Sequence, residues 1–203
     1  LGSLVALTCA VFYPAWVAAV VAAPLPDPTL VMPLRRRRQP WRRLLKRRVV
    51  LVLCRLLPLE LLVPLIARTP LLDWGLRSAY TNPQPVDREL RRLVARPALR
   101  PRAPRALRAM SIGMALRPRG ATAAALLERM QQPLLVLWGS QDRLVPPQIS
   151  ERLRHHKEDL ELQLLPQLGH CPHDEHPELF NRHVIGWLAR NLGTDQPHKQ
   201  PWA

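Results

Sequence analysis

Two short apolar segments, each followed by a loop and then a helix-forming stretch, constrain the last third of this 203-residue chain more than any other feature. PLLVLWG (133–139) is an uninterrupted apolar run of strand length, closed by Gly139 and the loop SQDRLVPP. LELQLLP (160–166) alternates at Leu160, Leu162 and Leu164 before the loop GHCPHDEHP. Ile149–His156 reads as a helix. Pro177–Leu192 reads as a second, with proline in its first turn and Glu178 near its positive end. Phe180, Val184, Trp187, Leu188 and Leu192 fall on one of its faces. Strand, loop and helix twice over with short links predict parallel strands joined by right-handed crossovers. Functional residues in such sheets sit on loops at the carboxyl ends of the strands, which is where Asp142 and His170 fall.

The opening of the chain has the same texture. Leu4–Ala23 carries no charge for twenty residues, but no base precedes it and Pro14 interrupts it, against a membrane span or signal peptide. Before Pro14, Gly2, Ala6 and Ala10 recur every fourth residue, predicting a helix with a small-residue face for close packing. After it, WVAAVVAA followed by Pro24 and Pro26 suits a buried parallel strand over about residues 17–23. The fold expected is therefore α/β, with parallel strands near 17–23, 133–138 and 160–165.

Charge separates the middle of the chain from its ends. Residues 1–33 hold one acid and no base, residues 34–129 hold 23 bases against 5 acids, and residues 130–203 hold 7 against 9. A helical, basic segment at 34–131 is thus inserted between core segments at 1–33 and 132–203. From Trp41 the apolar positions Leu44, Leu45, Val49, Val52, Leu53 and Leu56 follow helical spacing, with Arg42, Arg43, Lys46 and Arg47 opposite. Val49–Leu53 is apolar nearly all round, so cover on more than one side is expected there. Pro58 and Pro64 end or kink the helix. Further helices are expected near Val86–Ala95, Arg105–Leu116 and Ala121–Gln131. With Trp41, Trp74 and Tyr80 scattered, the segment lacks the aromatic platforms of a nucleic-acid binder, and no nucleic acid is expected. A solvated helix face is the plain reading of the arginine runs. Peripheral contact with an anionic membrane is the functional one, in an otherwise cytoplasmic protein. Three cysteines at scattered spacing (Cys9, Cys54, Cys171) form no disulfide framework, as in a reducing compartment.

The two loop residues suggest chemistry. A carboxylate that accepts a hydrogen bond from one imidazole nitrogen fixes the tautomer and leaves the other nitrogen to take a proton from a nucleophile. Asp142 and His170 could form such a pair; equally, Asp142 could cap its own turn and His170 be an ordinary loop residue. His170, Cys171, His173, Asp174 and His176 crowd seven positions, but zinc sites usually need a second ligand pair elsewhere, and none is evident. No metal or cofactor is expected, and Asp174 is given a capping or loop-shaping role.

LVLWGSQDRLVPP and LPQLGHCPHDEHPELFNRHVIGWL resemble the last two strand–loop units of the α/β-hydrolase fold. LGSLVAL with FYPAWVAAVVAAP resembles the end of its nucleophile elbow, the helix behind it and the next strand. Within that superfamily, GHCPHDE followed by proline and glutamate resembles the pheophytinase-like hydrolases of plants and cyanobacteria, which cleave the phytyl ester of chlorophyll derivatives. The resemblance covers residues 1–33 and 132–203, and reaches the inserted cap only in position and helical texture. It implies a serine-type hydrolase of a large apolar ester, with His170 as base, Asp142 as acid and the Leu1 backbone N–H in the oxyanion hole. Leu1 and Gly2 match only the end of G-x-S-x-G, so the nucleophile is expected immediately before Leu1. Ser3 falls within the first helical turn rather than at the apex of the elbow and is rejected. The chain as written is accordingly expected to be inactive or poorly soluble, with an open edge on its first strand. An aspartate nucleophile would make the scaffold a dehalogenase or epoxide hydrolase. A non-catalytic, membrane- or partner-binding protein is the alternative outside enzymes.

Overall fold

The computed structural model describes residues 2–30, 40–82 and 87–193. Three parallel strands, β1 (Val20–Ala22), β2 (Leu134–Gly139) and β3 (Glu161–Leu165), pair in that order, with Ala22 beside Val136 and Gly139 beside Leu165. The central strand β2 is buried along its whole length, as a continuous apolar run predicts for a strand covered on both faces. β1 is shorter than the apolar run around it, because Pro14–Trp16 folds into a 3-10 turn that delays pairing until Val20. It lies at one edge of the described sheet.

Alternate residues of β2 serve two cores. Leu134, Val136 and Trp138 pack with helix α1 (Gly2–Phe12), and with the short helix between Ala123 and Leu127. Leu135 and Leu137 face the last helix, Pro177–Leu192, whose Trp187 is wholly buried, with Leu179, Phe180, Val184 and Leu188 around it. Helices thus cover both faces of the sheet, and burial of each large side chain contributes about 1.5–3 kcal/mol. The face that α1 buries is Leu4, Leu7 and Ala10, not Gly2, Ala6 and Ala10. Gly2 is exposed, with nothing within 4 Å of the position a Cβ would take. Large side chains, rather than close backbone approach, fill the space between this helix and the sheet.

Between β1 and β2 the chain runs through α2 (Pro40–Leu56), α3 (Leu59–Arg68), α4 (Pro70–Ala79), α5 (Arg88–Ala98), α6 (Ala103–Leu116) and α7 (Ala123–Leu127). Helix α5 begins after Asp87, whose carboxylate accepts the Leu90 N–H at 2.8 Å; Val86, its expected first residue, lies outside the described residues. Helix α7 is shorter than the expected Ala121–Gln131, being preceded by a 3-10 turn at Arg119–Ala121 and capped by Thr122. α2 packs chiefly on α6, and α3 packs on α4, α5 and α6. The expected cover around the apolar half of α2 is not formed: Val49, Val52, Leu53 and Leu56 stay 46–73% exposed. With α6 as its principal neighbour, the helix uses Val50, Leu51 and Cys54 as its partly buried side. Among the described residues no single helix is long and apolar enough to cross a membrane.

Pro147–His155 forms a 3-10 helix where an α-helix was expected. Its backbone bonds close three residues back, from Ile149 to Pro146, and the Ser150 hydroxyl takes the Pro147 carbonyl at 2.6 Å, a local bond that competes with the α-helical pattern. The last described elements are the short helix α8 (Pro172–Glu175) and α9 (Pro177–Leu192), whose bounds match the expected helix.

Candidate active site

Asp142 and His170 lie on the loops that leave the carboxyl ends of β2 and β3, two adjacent strands. Parallel pairing of Gly139 with Leu165 places these exits side by side, and backbone bonds tie them together. Ser140 N–H donates to Leu165 O at 2.9 Å and Gln141 N–H to Leu168 O at 2.9 Å. Gln167 turns the second loop through the left-handed region (φ 60°), and its N–H donates to the Ser140 hydroxyl at 3.0 Å. Gly139 is required here, since a Cβ would stand 2.0 Å from Gly169 O and 2.3 Å from Leu168 O.

The result is a hydrogen bond of 2.9 Å between His170 Nδ1 and Asp142 Oδ2. The Asp142 side chain is fully buried, and its other oxygen accepts the N–H groups of Leu144 and Val145 at 2.9 Å each. Asp142 therefore shapes its own turn and engages the imidazole at once, so the two sequence readings are not exclusive. Both carboxylate oxygens are used, which fixes the carboxylate plane and with it the ring. With Nδ1–H given to the carboxylate, Nε2 carries the lone pair, and a ring with a 26% exposed side chain can present it to a reactant.

The histidine loop is also fastened from the inserted helices. His170 N–H donates to Ala79 O at 2.8 Å, at the end of α4. Glu175 accepts Gly169 N–H on one oxygen at 2.7 Å, and Thr81 N–H at 2.8 Å with Asn82 N–H at 3.4 Å on the other. Tyr80, 6% exposed, donates its hydroxyl to Asp174 Oδ2 at 2.5 Å. Burial first, and the bond to Asp174 second, raise the Tyr80 phenol far above its usual range, keeping it a donor. Burial likewise pushes the Cys171 thiol up, away from the reactive thiolate. Gly169 leaves no room for a side chain, since a Cβ would meet Ala79 O at 2.7 Å and Glu175 Oε1 at 2.8 Å.

The remaining candidates separate. Asp174 does not cap a helix, because its carboxylate is taken by Tyr80. The N-cap of α9 is His176, whose Nδ1 accepts Leu179 N–H at 3.4 Å. His173 stands edge-on to Phe180 at 5.8 Å. Among the described residues no three His, Cys, Asp or Glu side chains are grouped to hold a metal ion. Ser3 Oγ donates to Pro24 O at 2.6 Å, tying α1 to the segment after β1. The Leu1 N–H lies outside the described residues. Glu175 and Tyr80 were not singled out as site residues from sequence. The signals present were a carboxylate five positions after His170 inside the quoted motif and a lone tyrosine beside a proline-rich break.

Comparison with known proteins bears on the fold and the family. A segment of 67 residues, 33% of the chain, is 36% identical to 2-hydroxy-6-oxononadienedioate/2-hydroxy-6-oxononatrienedioate hydrolase of a Pseudomonas species, of which it covers 24%. In fold, 93% of the chain superposes on 62% of a thermophilic esterase from Thermogutta terrifontis (TM-score 0.57, 21% identity). It also superposes, over 92% of its length, on 60% of 2-hydroxy-6-oxo-6-phenylhexa-2,4-dienoate hydrolase from a Rhodococcus strain (TM-score 0.58, 21% identity). The chain thus spans about 60% of the length of these solved structures. Residues 1–183 match the sequence profile of one family over nearly the whole chain. Parallel strands whose exits join an acid to a histidine, and a profile match that takes in both residues, have one reading: the chain belongs to the alpha/beta hydrolase family.

Proposed function

We propose that the intact protein is a serine-type hydrolase that cleaves a carboxylic ester carrying a large apolar group. The observation that carries this is the bond from His170 Nδ1 to the buried, doubly anchored Asp142. In this reading a nucleophilic hydroxyl at the position immediately before Leu1 gives its proton to His170 Nε2 as it attacks the ester carbonyl. His170 then returns the proton to the leaving alcohol, and Asp142 holds the ring in the required tautomer throughout. The Leu1 N–H contributes to binding the oxyanion.

A phytyl ester of a chlorophyll derivative is the substrate that the resemblance of the GHCPHDE motif supports. A second reading rests on the 36% identity to the Pseudomonas enzyme, and takes 2-hydroxy-6-oxononadienedioate as substrate. The two differ in polarity, a long hydrocarbon tail against a dicarboxylate, so assaying the intact protein on both separates them. Asp142→Asn and His170→Ala should each lower turnover roughly 10³–10⁴-fold with the fold retained. Turnover that survives both substitutions defeats the assignment, and turnover of the dicarboxylate alone replaces the ester.

A further inference from the structure

Helices α2 and α3 meet at an elbow bent by 58°. Arg108, reaching over from α6, builds this elbow. Its Nε donates to Cys54 O at 2.8 Å and its Nη2 to Leu57 O at 3.2 Å, while the guanidinium pairs with both Glu60 oxygens at 2.7 and 2.9 Å. The free carbonyls at the end of α2 and the acid at the start of α3 are thereby held by one side chain. Outside this clasp the elbow is apolar: Val49, Val52, Leu53, Leu56, Leu61 and Leu65 are 46–73% exposed.

We propose that this elbow is a docking surface for an anionic lipid bilayer, and that it enters the interface without crossing it. Charge carries the choice of occupant. Residues 34–59 contain ten bases and no acid, and the first acid beyond them, Glu60, is committed to Arg108. Lys46, Arg47 and Arg48 are exposed one turn before the apolar half of α2, where long stems can lie on hydrocarbon and place their charges among phosphates. Trp41, 54% exposed, sits among the bases, as aromatic side chains do at the headgroup level of a membrane. A second copy of the chain would set this basic segment against itself. A bilayer with anionic headgroups supplies both the opposite charge and the apolar phase beneath it. The helical stretches Leu44–Leu56 and Leu59–Arg68 are each too short to cross a hydrocarbon core of about 30 Å, and they meet at a bend of 58° rather than running on as one straight helix.

The test is flotation of the intact protein with vesicles of phosphatidylcholine mixed with phosphatidylglycerol, and with vesicles of phosphatidylcholine alone. Binding should appear on the mixed vesicles, weaken with salt and be absent on phosphatidylcholine. Leu53→Glu/Leu56→Glu should reduce it by about tenfold or more, with an unchanged melting temperature, since both positions are exposed. Lys46→Glu/Arg47→Glu should reduce it as well. No binding to the mixed vesicles overturns the proposal. So does binding that survives the leucine changes, which would be adsorption by charge alone, or an oligomer that those changes dissolve without any vesicle binding.

Discussion

Thr81 donates its backbone N–H to the Glu175 carboxylate at 2.8 Å across 94 positions of sequence, and the other oxygen of that carboxylate holds Gly169 N–H at 2.7 Å. One side chain thus joins the segment leaving α4 to the residue before His170. The imidazole is held by Asp142, and Glu175 ties the residue before it to the segment leaving α4. Glu175→Ala removes the carboxylate that accepts three backbone N–H groups, those of Gly169, Thr81 and Asn82, a loss of about 1–3 kcal/mol. Glu175→Gln keeps one acceptor oxygen and should cost less. If Glu175 positions His170, turnover of the intact protein should fall for Glu175→Ala and be partly restored in Glu175→Gln, with the pH profile of kcat altered. Equal turnover in both variants and the parent would reduce Glu175 to a stability element.

The two glycines of the paired loops permit a sharper steric test. Gly139→Ala puts a methyl 2.0 Å from Gly169 O and 2.3 Å from Leu168 O, atoms of a backbone already bonded to Gln141. No rotamer relieves a Cβ clash, so the loops must separate. A loss of more than roughly 4 kcal/mol, or failure to fold, is expected in denaturant titration. Gly113→Ala within α6 is the control, since nothing lies within 4 Å of its Cβ position, and alanine there should be neutral or mildly stabilising.

The sheet and the pair at its ends were legible in the sequence for physical reasons. PLLVLWG must be buried on both faces, and a loop after such a strand is where a parallel sheet exposes polar groups, so Asp142 and His170 stood out by position. The role of Glu175 was not legible, because its partners are backbone N–H groups with no side-chain signature, brought near only by the path of α4. Asp174 was given a capping or loop-shaping role because the acid precedes a helix; the buried hydroxyl of Tyr80, 94 residues away, takes its carboxylate and excludes the capping alternative. The face of α1 was misread because two interleaved patterns share Ala10, and burial followed side-chain size. Exposure of the apolar half of α2 follows from its packing chiefly on α6, which its sequence could not specify.

Acid should loosen the α2–α3 elbow. The bond from Arg108 is the main cause holding the Glu60 carboxyl down at about 2, against an ordinary value of 4.5. A depressed folded-state value means stability that is complete above about pH 4.5 and is lost as pH falls toward 2. Glu60 is largely exposed, so the effect should shrink in high salt. Melting curves at pH 5 and at pH 2 should differ more for the parent than for Arg108→Ala, in which Glu60 has lost its partner. An unchanged difference would show that the clasp contributes nothing.

Asp27 is, among the described residues, a buried acid that the hydrolytic reading does not use. Its side chain is fully buried behind β1 and pairs with the Arg117 guanidinium, while accepting Thr29 N–H at 2.9 Å and Ala123 N–H at 2.8 Å. It therefore binds the segment before the inserted helices to the residues that close them, where the chain returns to the core. Asp27→Asn leaves the Arg117 charge, 17% exposed, without its counter-ion, a change worth about 3–5 kcal/mol for buried pairs. Arg117→Leu made together with Asp27→Asn removes the stranded charge, so the double variant should be more stable than Asp27→Asn alone. Denaturant titration of Asp27→Asn, Arg117→Leu and the double variant measures the coupling. Additive losses would mean that Asp27 acts through its two backbone bonds, with the arginine a bystander.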